Sequence, residues 1–264
     1  ATGSSAFALA IGDMDGDGKP DLVTANYTPS NNISVMRNTT AGPGNITFAT
    51  ATSYSSVSYN YSRSVALGDF NGDGKLDIAV DHYGNGNFVS VFPNISVSGT
   101  INLGTSVPLA TSPLGSNTQG VAMGDVNGDG KPDLVASNYN TTIVSVFKNT
   151  TASTPTITFA NYAAYVDPAG TNGTSERNNI NLVDLNGDGM LDIVRCNYAT
   201  SNLSIFRSIQ VTPPVITSFS PDNGPVSTTV TLVGRGFSNV PNNNVVFFGA
   251  EQATVTGGIG STTL

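Results

Sequence analysis

The chain has 264 residues and a formal net charge of −8, with 11% charged and 38% hydrophobic residues and 29 glycines. The acidic balance and the lack of a basic stripe exclude a nucleic-acid binder. No apolar run reaches the 18 residues of a membrane-spanning helix, and regularly recurring Val, Ile, Leu, Phe and Tyr exclude disorder. Cys196 is the only cysteine, so no intrachain disulfide can form.

In chain order, an apolar segment "FALAIG" leads into "GDMDGDGKPDLVTANY" at Gly12. A Gly/Asn-rich turn and "ISVMRN" at Ile33 follow, then a looser "ITFATA". The same order returns three times. "SVALG" leads into "GDFNGDGKLDIAVDHY" at Gly68, with "VSVFPN" at Val89 and "INLGTSVPLA" behind it. "GVAMG" leads into "GDVNGDGKPDLVASNY" at Gly124, then "VSVFKN" at Val144 and "ITFANYAAY". "NINLV" leads into "VDLNGDGMLDIVRCNY" at Val183, then "LSIFRS" at Leu203. The leading aspartates, Asp13, Asp69, Asp125 and Asp184, stand 56, 56 and 59 residues apart. A fixed period of this size marks a repeat architecture. Short β-type segments joined by Gly/Asn turns, with no helical periodicity, predict an all-β chain of four-stranded propeller blades.

The acidic loop sets oxygen-bearing side chains at alternate positions. In the first repeat, positions 1, 3, 5, 7 and 9 are Asp13, Asp15, Asp17, Lys19 and Asp21. In the second they are Asp69, Asn71, Asp73, Lys75 and Asp77, and in the third Asp125, Asn127, Asp129, Lys131 and Asp133. The fourth has Asp184, Asn186, Asp188, Met190 and Asp192. Position 7 changes between Lys and Met, so only its backbone carbonyl can serve there. Carboxylates, amide oxygens and one carbonyl are the donor set of Ca²⁺, which takes six to eight oxygens at about 2.3–2.6 Å. Mg²⁺ demands stricter geometry, and zinc or copper would need His or Cys. Glycines at positions 4 and 6 admit the positive φ of a tight loop. The helix-loop-helix calcium hand needs a bidentate Glu at position 12, where this chain has Thr24, Val80, Ala136 and Arg195. The loops hold thirteen of the 18 acidic residues, and four bound Ca²⁺ would cancel the formal charge of −8. The alternative is a row of solvated acidic turns. Asp15, where the other repeats have Asn, makes the first loop the most anionic and the expected tightest site.

These G-D-x-N-G-D-G-x-x-D-[LI] units resemble FG-GAP (VCBS) repeats, the blades of integrin α-subunit propellers and many bacterial surface proteins. The resemblance covers roughly Ala1 to Ile209. It implies calcium loops joining the first two strands of each blade, with metals that stiffen hairpins and take no part in catalysis. The tail "PPVITSFSPDNGPVSTTVTLVGRGFS" resembles the IPT/TIG domain, an immunoglobulin-like sandwich, through Ile216, Pro221, Gly224, Pro225, the "VTLVGRGF" run and Phe248-Gly249. The expected division is blades over 1–211 and an incomplete Ig-like domain over 212–264. Four blades are few for a family that usually closes with seven, and the tail is short for a sandwich. A segment of a longer chain with neighbouring domains is therefore expected; a four-bladed ring or an open array is the alternative.

His82 takes the repeat position of Asn26, Asn138 and Asn197, so it reads as a structural substitution and not a catalytic base. Tyr27, Tyr83, Tyr139 and Tyr198 recur at one position and read as packing between blades. Cys196 has no His beside it in the motif, and no Ser-His-Asp set, phosphate loop or free carboxylate pair can be assembled. The expected function is a secreted or cell-surface, non-enzymatic calcium propeller for adhesion or recognition, with a protein or glycan ligand. Alternatives are a lectin-like propeller, disfavoured by the absence of Trp although Tyr59, Tyr61 and Tyr165 could stack on sugars, or a non-catalytic module of a secreted polysaccharide-acting enzyme.

Overall fold

The computed structural model describes residues 5–27, 33–56, 61–84, 88–111, 117–138, 141–166, 180–197, 201–208, 215–225, 227–235, 246–248 and 251–255. Every regular element among them is a strand. The chain separates into two compact units, 1–208 and 209–264.

The first unit is a row of antiparallel sheets, each strand paired with the next in sequence. The first sheet holds β1 (Ala6–Gly12), β2 (Asp21–Asn26), β3 (Ile33–Met36) and β4 (Thr52–Tyr54). The second holds β5 (Val65–Gly68), β6 (Asp77–Asp81), β7 (Phe88–Phe92) and β8 (Val107–Ala110). The third holds β9 (Thr118–Gly124), β10 (Asp133–Asn138), β11 (Ile143–Phe147) and β12 (Ala163–Val166). The fourth has three described strands, β13 (Ile180–Val183), β14 (Asp192–Asn197) and β15 (Asn202–Phe206). The acidic loops connect the first and second strand of each sheet, as the resemblance implies. One register closes all four, pairing Gly12 with Asp21, Gly68 with Asp77, Gly124 with Asp133 and Val183 with Asp192.

The fourth strand of the first repeat pairs later than its sequence suggests, whereas β8 lies within "INLGTSVPLA" and β12 begins within "ITFANYAAY". "ITFATA" makes only a bridge from Phe48 to Asn38, and β4 starts after it. The same bridge joins Asn149 to Phe159 in the third repeat. There the chain turns first around the end of the third strand, so the short outer strand is set by what remains of the connection.

Three apolar cores join the four sheets. Met14, Val23, Ala25, Ile33 and Val35 of the first sheet meet Ile78, Val80 and Phe92 of the second. The other face of the second sheet, with Phe70, Ala79, Val89 and Val91, meets Val121, Leu134, Ala136 and Phe147 of the third. Val135, Val144 and Val146 then meet Ile180 and Ile193 of the fourth. Alternate side chains of a strand point to opposite faces, so Ile78 and Val80 serve one core while Ala79 serves the next. This explains why the middle strands read as unbroken apolar runs. The outer faces of the row are less covered: Phe7, Leu9 and Ile11 on β1, and Leu203 and Ile205 on β15, are exposed.

The glycine before each of the first three loops is a seat for the neighbouring sheet. A Cβ on Gly12 would stand 2.5 Å from Leu76 Cδ1, one on Gly68 2.5 Å from Met123 Cε, and one on Gly124 2.5 Å from Leu191 Cδ1. In the fourth repeat, at the end of the row, Val183 takes this position and is exposed.

In the second unit, β16 (Val215–Ser220) pairs antiparallel with β17 (Thr231–Arg235), and β18 (Val246–Phe248) with β19 (Glu251–Ala253). Gly224 lies against Thr228, which leaves no room for a Cβ.

Candidate metal loops

Each loop folds around its first aspartate. The amides of Gly16 and Asp17 donate to Asp13 Oδ1 at 2.8 and 3.2 Å, and Gly18 N donates to Oδ2 at 2.7 Å. Asp69, Asp125 and Asp184 accept the same three amides at 2.7–3.2 Å. The turn needs left-handed backbone, and Gly16 and Gly18, at φ 73° and 83°, supply it. Position 5 then accepts the amide of position 7: Lys19 N, Lys75 N, Lys131 N and Met190 N donate to Asp17, Asp73, Asp129 and Asp188 at 2.9–3.1 Å.

The aspartate at position 9 is buried in all four repeats. Asp77 accepts Phe70 N at 2.9 Å on one oxygen and Asn94 N at 2.8 Å on the other. Asp21, Asp133 and Asp192 hold the matching pairs. Burial pushes the Asp77 pKa up to about 6; these two amides oppose the rise, while Asp73 and Asp69 add to it. Burial likewise raises Asp21 and Asp133. A buried carboxylate held with its pKa raised, beside further carboxylates, is stabilised by a cation. Each carboxylate oxygen has two lone pairs, so an amide on one leaves another for a metal. In the first loop, one oxygen each of Asp13, Asp15 and Asp21 lie within 4.8 Å of one another. Oxygens on opposite sides of one Ca²⁺ would be separated by about that distance, twice the usual bond length.

The loops also hold the sheets together. Position 2 is Met14, Phe70, Val126 or Leu185. Met14 and Phe70 are buried in the cores toward the next sheet, and Phe70 meets the Phe159 ring edge-on at 5.1 Å. Asn94 Nδ2 donates to Leu76 O of its own loop at 2.9 Å and to Met14 O of the preceding loop at 2.8 Å. Asn149 does the same for Pro132 O at 3.0 Å and Phe70 O at 2.8 Å. Asn38 and Ser208, at the same repeat position, bond their own loops through Pro20 O and Leu191 O, and among the described residues neither reaches a second loop. Sequence reasoning passed over these four residues, although they end the recurring "RN", "PN", "KN" and "RS" pairs.

The comparison with known families agrees with this geometry. The FG-GAP-like repeat profile matches residues 3–80 and 125–195, more than half of the chain and all four loops. The chain belongs to the FG-GAP-like repeat family. An IPT/TIG domain matches residues 214–264 of this FG-GAP protein. No curated protein matches it. FG-GAP repeats followed by an IPT/TIG domain make a module of the recognition type.

Other residues singled out from the sequence fall away from the loops. His82 is buried, with Nε2 at 3.1 Å from Ser56 Oγ and 2.7 Å from Ser90 Oγ, and burial lowers its pKa to about 4. Its counterparts repeat the bond: Asn26 Nδ2 donates to Ser34 Oγ at 2.9 Å and Asn138 Nδ2 to Ser145 Oγ at 3.0 Å. Tyr27 stacks on Tyr61 at 4.4 Å, and the Arg63 guanidinium lies 3.5 Å from the Tyr83 centroid and 5.0 Å from that of Tyr27. These tyrosines pack where the first and second repeats meet, and Tyr61, committed to its stack, is a poor sugar platform. Tyr165 is exposed on β12. Cys196 is an exposed free cysteine. Tyr59, Tyr139 and Tyr198 lie outside the described residues.

Proposed function

We propose that this FG-GAP chain is an extracellular, non-enzymatic scaffold for adhesion or recognition, whose four acidic loops each bind one structural Ca²⁺. The observation that carries this reading is the coupling of loop to core. The carboxylates that would hold the ion fix the backbone from which Met14 and Phe70 reach into the next sheet. The donors would be the side chains at positions 1, 3, 5 and 9, with the carbonyls of Lys19, Lys75, Lys131 and Met190 at position 7. Calcium supplies charge neutralisation and loop stiffness. Extracellular modules bind it at about 10⁻⁴–10⁻³ M, which suits a secreted or surface protein bathed in calcium.

Calorimetry tests the reading. Titration with Ca²⁺ is expected to show about four sites per chain, and Asp73→Ala is expected to remove one. Thermal scans that superimpose with and without EGTA would overturn the structural role. Turnover of polysaccharide by the purified chain would overturn the non-enzymatic one.

A further inference from the structure

The four loops differ in one basic side chain. The residue just after the third strand of each sheet is Arg37, Pro93, Lys148 or Arg207. The strand ends beside the acidic loop, so a long cation at this position reaches the carboxylates. Arg37 spans two of them: Nε lies 2.6 Å from Asp15 Oδ2, and Nη2 2.8 Å from Asp17 Oδ2. Gly99 N, from the second repeat, adds a second donor to Asp15 Oδ2 at 2.9 Å. Burial works against the Asp15 carboxylate, but the Arg37 guanidinium and the Gly99 and Asp17 amides outweigh it and hold its pKa low. Lys148 makes one contact to Asp129, at 3.1 Å, and Arg207 reaches Asp188 only at 3.8 Å. Among the described residues, no ion pair reaches the second loop, where Pro93 stands.

We propose that this residue is an internal counter-ion that sets the order in which the loops take calcium, with the second loop filling first and the first loop last. The proposal rests on the calcium reading above. Formal charge alone ranks the first loop highest, because Asp15 adds a carboxylate. Arg37 cancels that charge and sits on positions 3 and 5, two of the side chains the ion needs. A cation entering the first loop must share both carboxylates with a guanidinium held in two-pronged, charge-assisted hydrogen bonds. The second loop has three carboxylates, the buried Asp77 among them, and among the described residues none of them is held in an ion pair, so its neutralisation depends on the metal. The first loop keeps its shape without calcium, and the second does not.

Hydrogen exchange read by mass spectrometry, across a calcium titration of the full chain, resolves the loops individually. Peptides covering Asp69–Asp77 are expected to gain protection at the lowest calcium concentration, and those covering Asp13–Asp21 at the highest. Arg37→Ala is expected to move the midpoint of the first loop down roughly tenfold, the scale of removing one nearby like charge at the protein surface, and to leave the second loop unmoved. Pro93→Arg, which installs the residue of the first and fourth repeats, is expected to move the second loop's midpoint up. Arg37→Lys keeps the charge but loses the two-pronged contact, and is expected to fall between wild type and alanine. It serves as the folded control should Arg37→Ala unfold. A first loop that fills before the second, or midpoints indifferent to Arg37→Ala, Arg37→Lys and Pro93→Arg, would overturn the ranking while leaving calcium binding intact. Loops that show no calcium response at all would overturn the calcium reading and the ranking with it.

Discussion

At one end of β6, Asp77 stands buried beneath Asp69 and Asp73 in an acidic loop; at the other end, Asp81 and His82 are buried with no acidic cluster around them. Burial raises both aspartates, Asp77 to about 6 and Asp81 to about 7. Their surroundings differ. Asp77 accepts amides on both oxygens and faces a cup of like charge that opens to solvent. Asp81 accepts the amides of Arg63 and Ser64 on Oδ1, each at 2.7 Å, while Oδ2 is buried without a hydrogen-bond partner. The loop end gathers carboxylates that a cation from outside would neutralise. The opposite end is closed; burial raises Asp81 against the Ser64 and Arg63 amides and the Arg63 charge, and lowers His82.

Calcium removal tests the loop end and carries the largest expected effect. At 10–100 times the dissociation constant, each site contributes about 1.4–2.7 kcal/mol. Four sites in a unit of this size correspond to a fall in Tm of more than about 10 °C on adding EGTA, measured by calorimetry. The clasp residues come next. Asn149→Ala strips the donor from Phe70 O and Pro132 O and is expected to cost about 1–3 kcal/mol in urea denaturation. Asn38→Ala, which touches one loop only, is expected to cost less. Equal costs would mean that the contact between neighbouring loops adds nothing.

The closed end is tested by pH. The folded pKa of His82 is about 4, against about 6.5 for a free imidazole. The unfolded chain therefore binds the proton first, and stability is lost as pH falls from about 6.5 toward 4. His82→Asn, the residue of the other three repeats, is expected to remove a loss of about 2 kcal/mol at pH 5 and none at pH 8. Urea midpoints at the two pH values check it. Asp81 has the opposite sign. Its raised pKa favours the folded state at low pH, and that advantage is lost as pH rises from about 4 to 7. Asp81→Asn, with EGTA present, is expected to change stability least at pH 5 and to flatten the decline toward pH 8. A decline as steep as in wild type would mean that Asp81 is not the group responsible.

The loops were legible in the sequence because their chemistry is local. The nine residues from Asp13 to Asp21 contain every turn donor and acceptor, and the four copies agree on which positions matter. The strand pattern of "LDIAV" and "PDLVA" was legible for the same reason. Arg37 was not, since it lies more than 15 residues beyond Asp21 and reaches Asp15 only because β2 and β3 pair antiparallel. Asn94 and Asn149 were missed because their decisive acceptors, Met14 O and Phe70 O, belong to a neighbouring repeat. The Arg63 contact with Tyr27 and Tyr83 likewise joins two repeats. The glycines before the first three loops admit Leu76, Met123 or Leu191 from the next sheet, a contact with another repeat that the local sequence does not show.

By itself the sequence determined the repeat, its all-β character and the twenty positions of the acidic loops, because alternation along a strand and a ligand pattern within nine residues are set by neighbours in the chain. Only the tertiary structure decided which carboxylates already have a partner. Antiparallel pairing carries Arg37 to Asp15 and Asp17 and leaves Pro93 beside the second loop. Net electrostatics at a site depend on distance in space, where charges far apart in sequence count as much as adjacent ones.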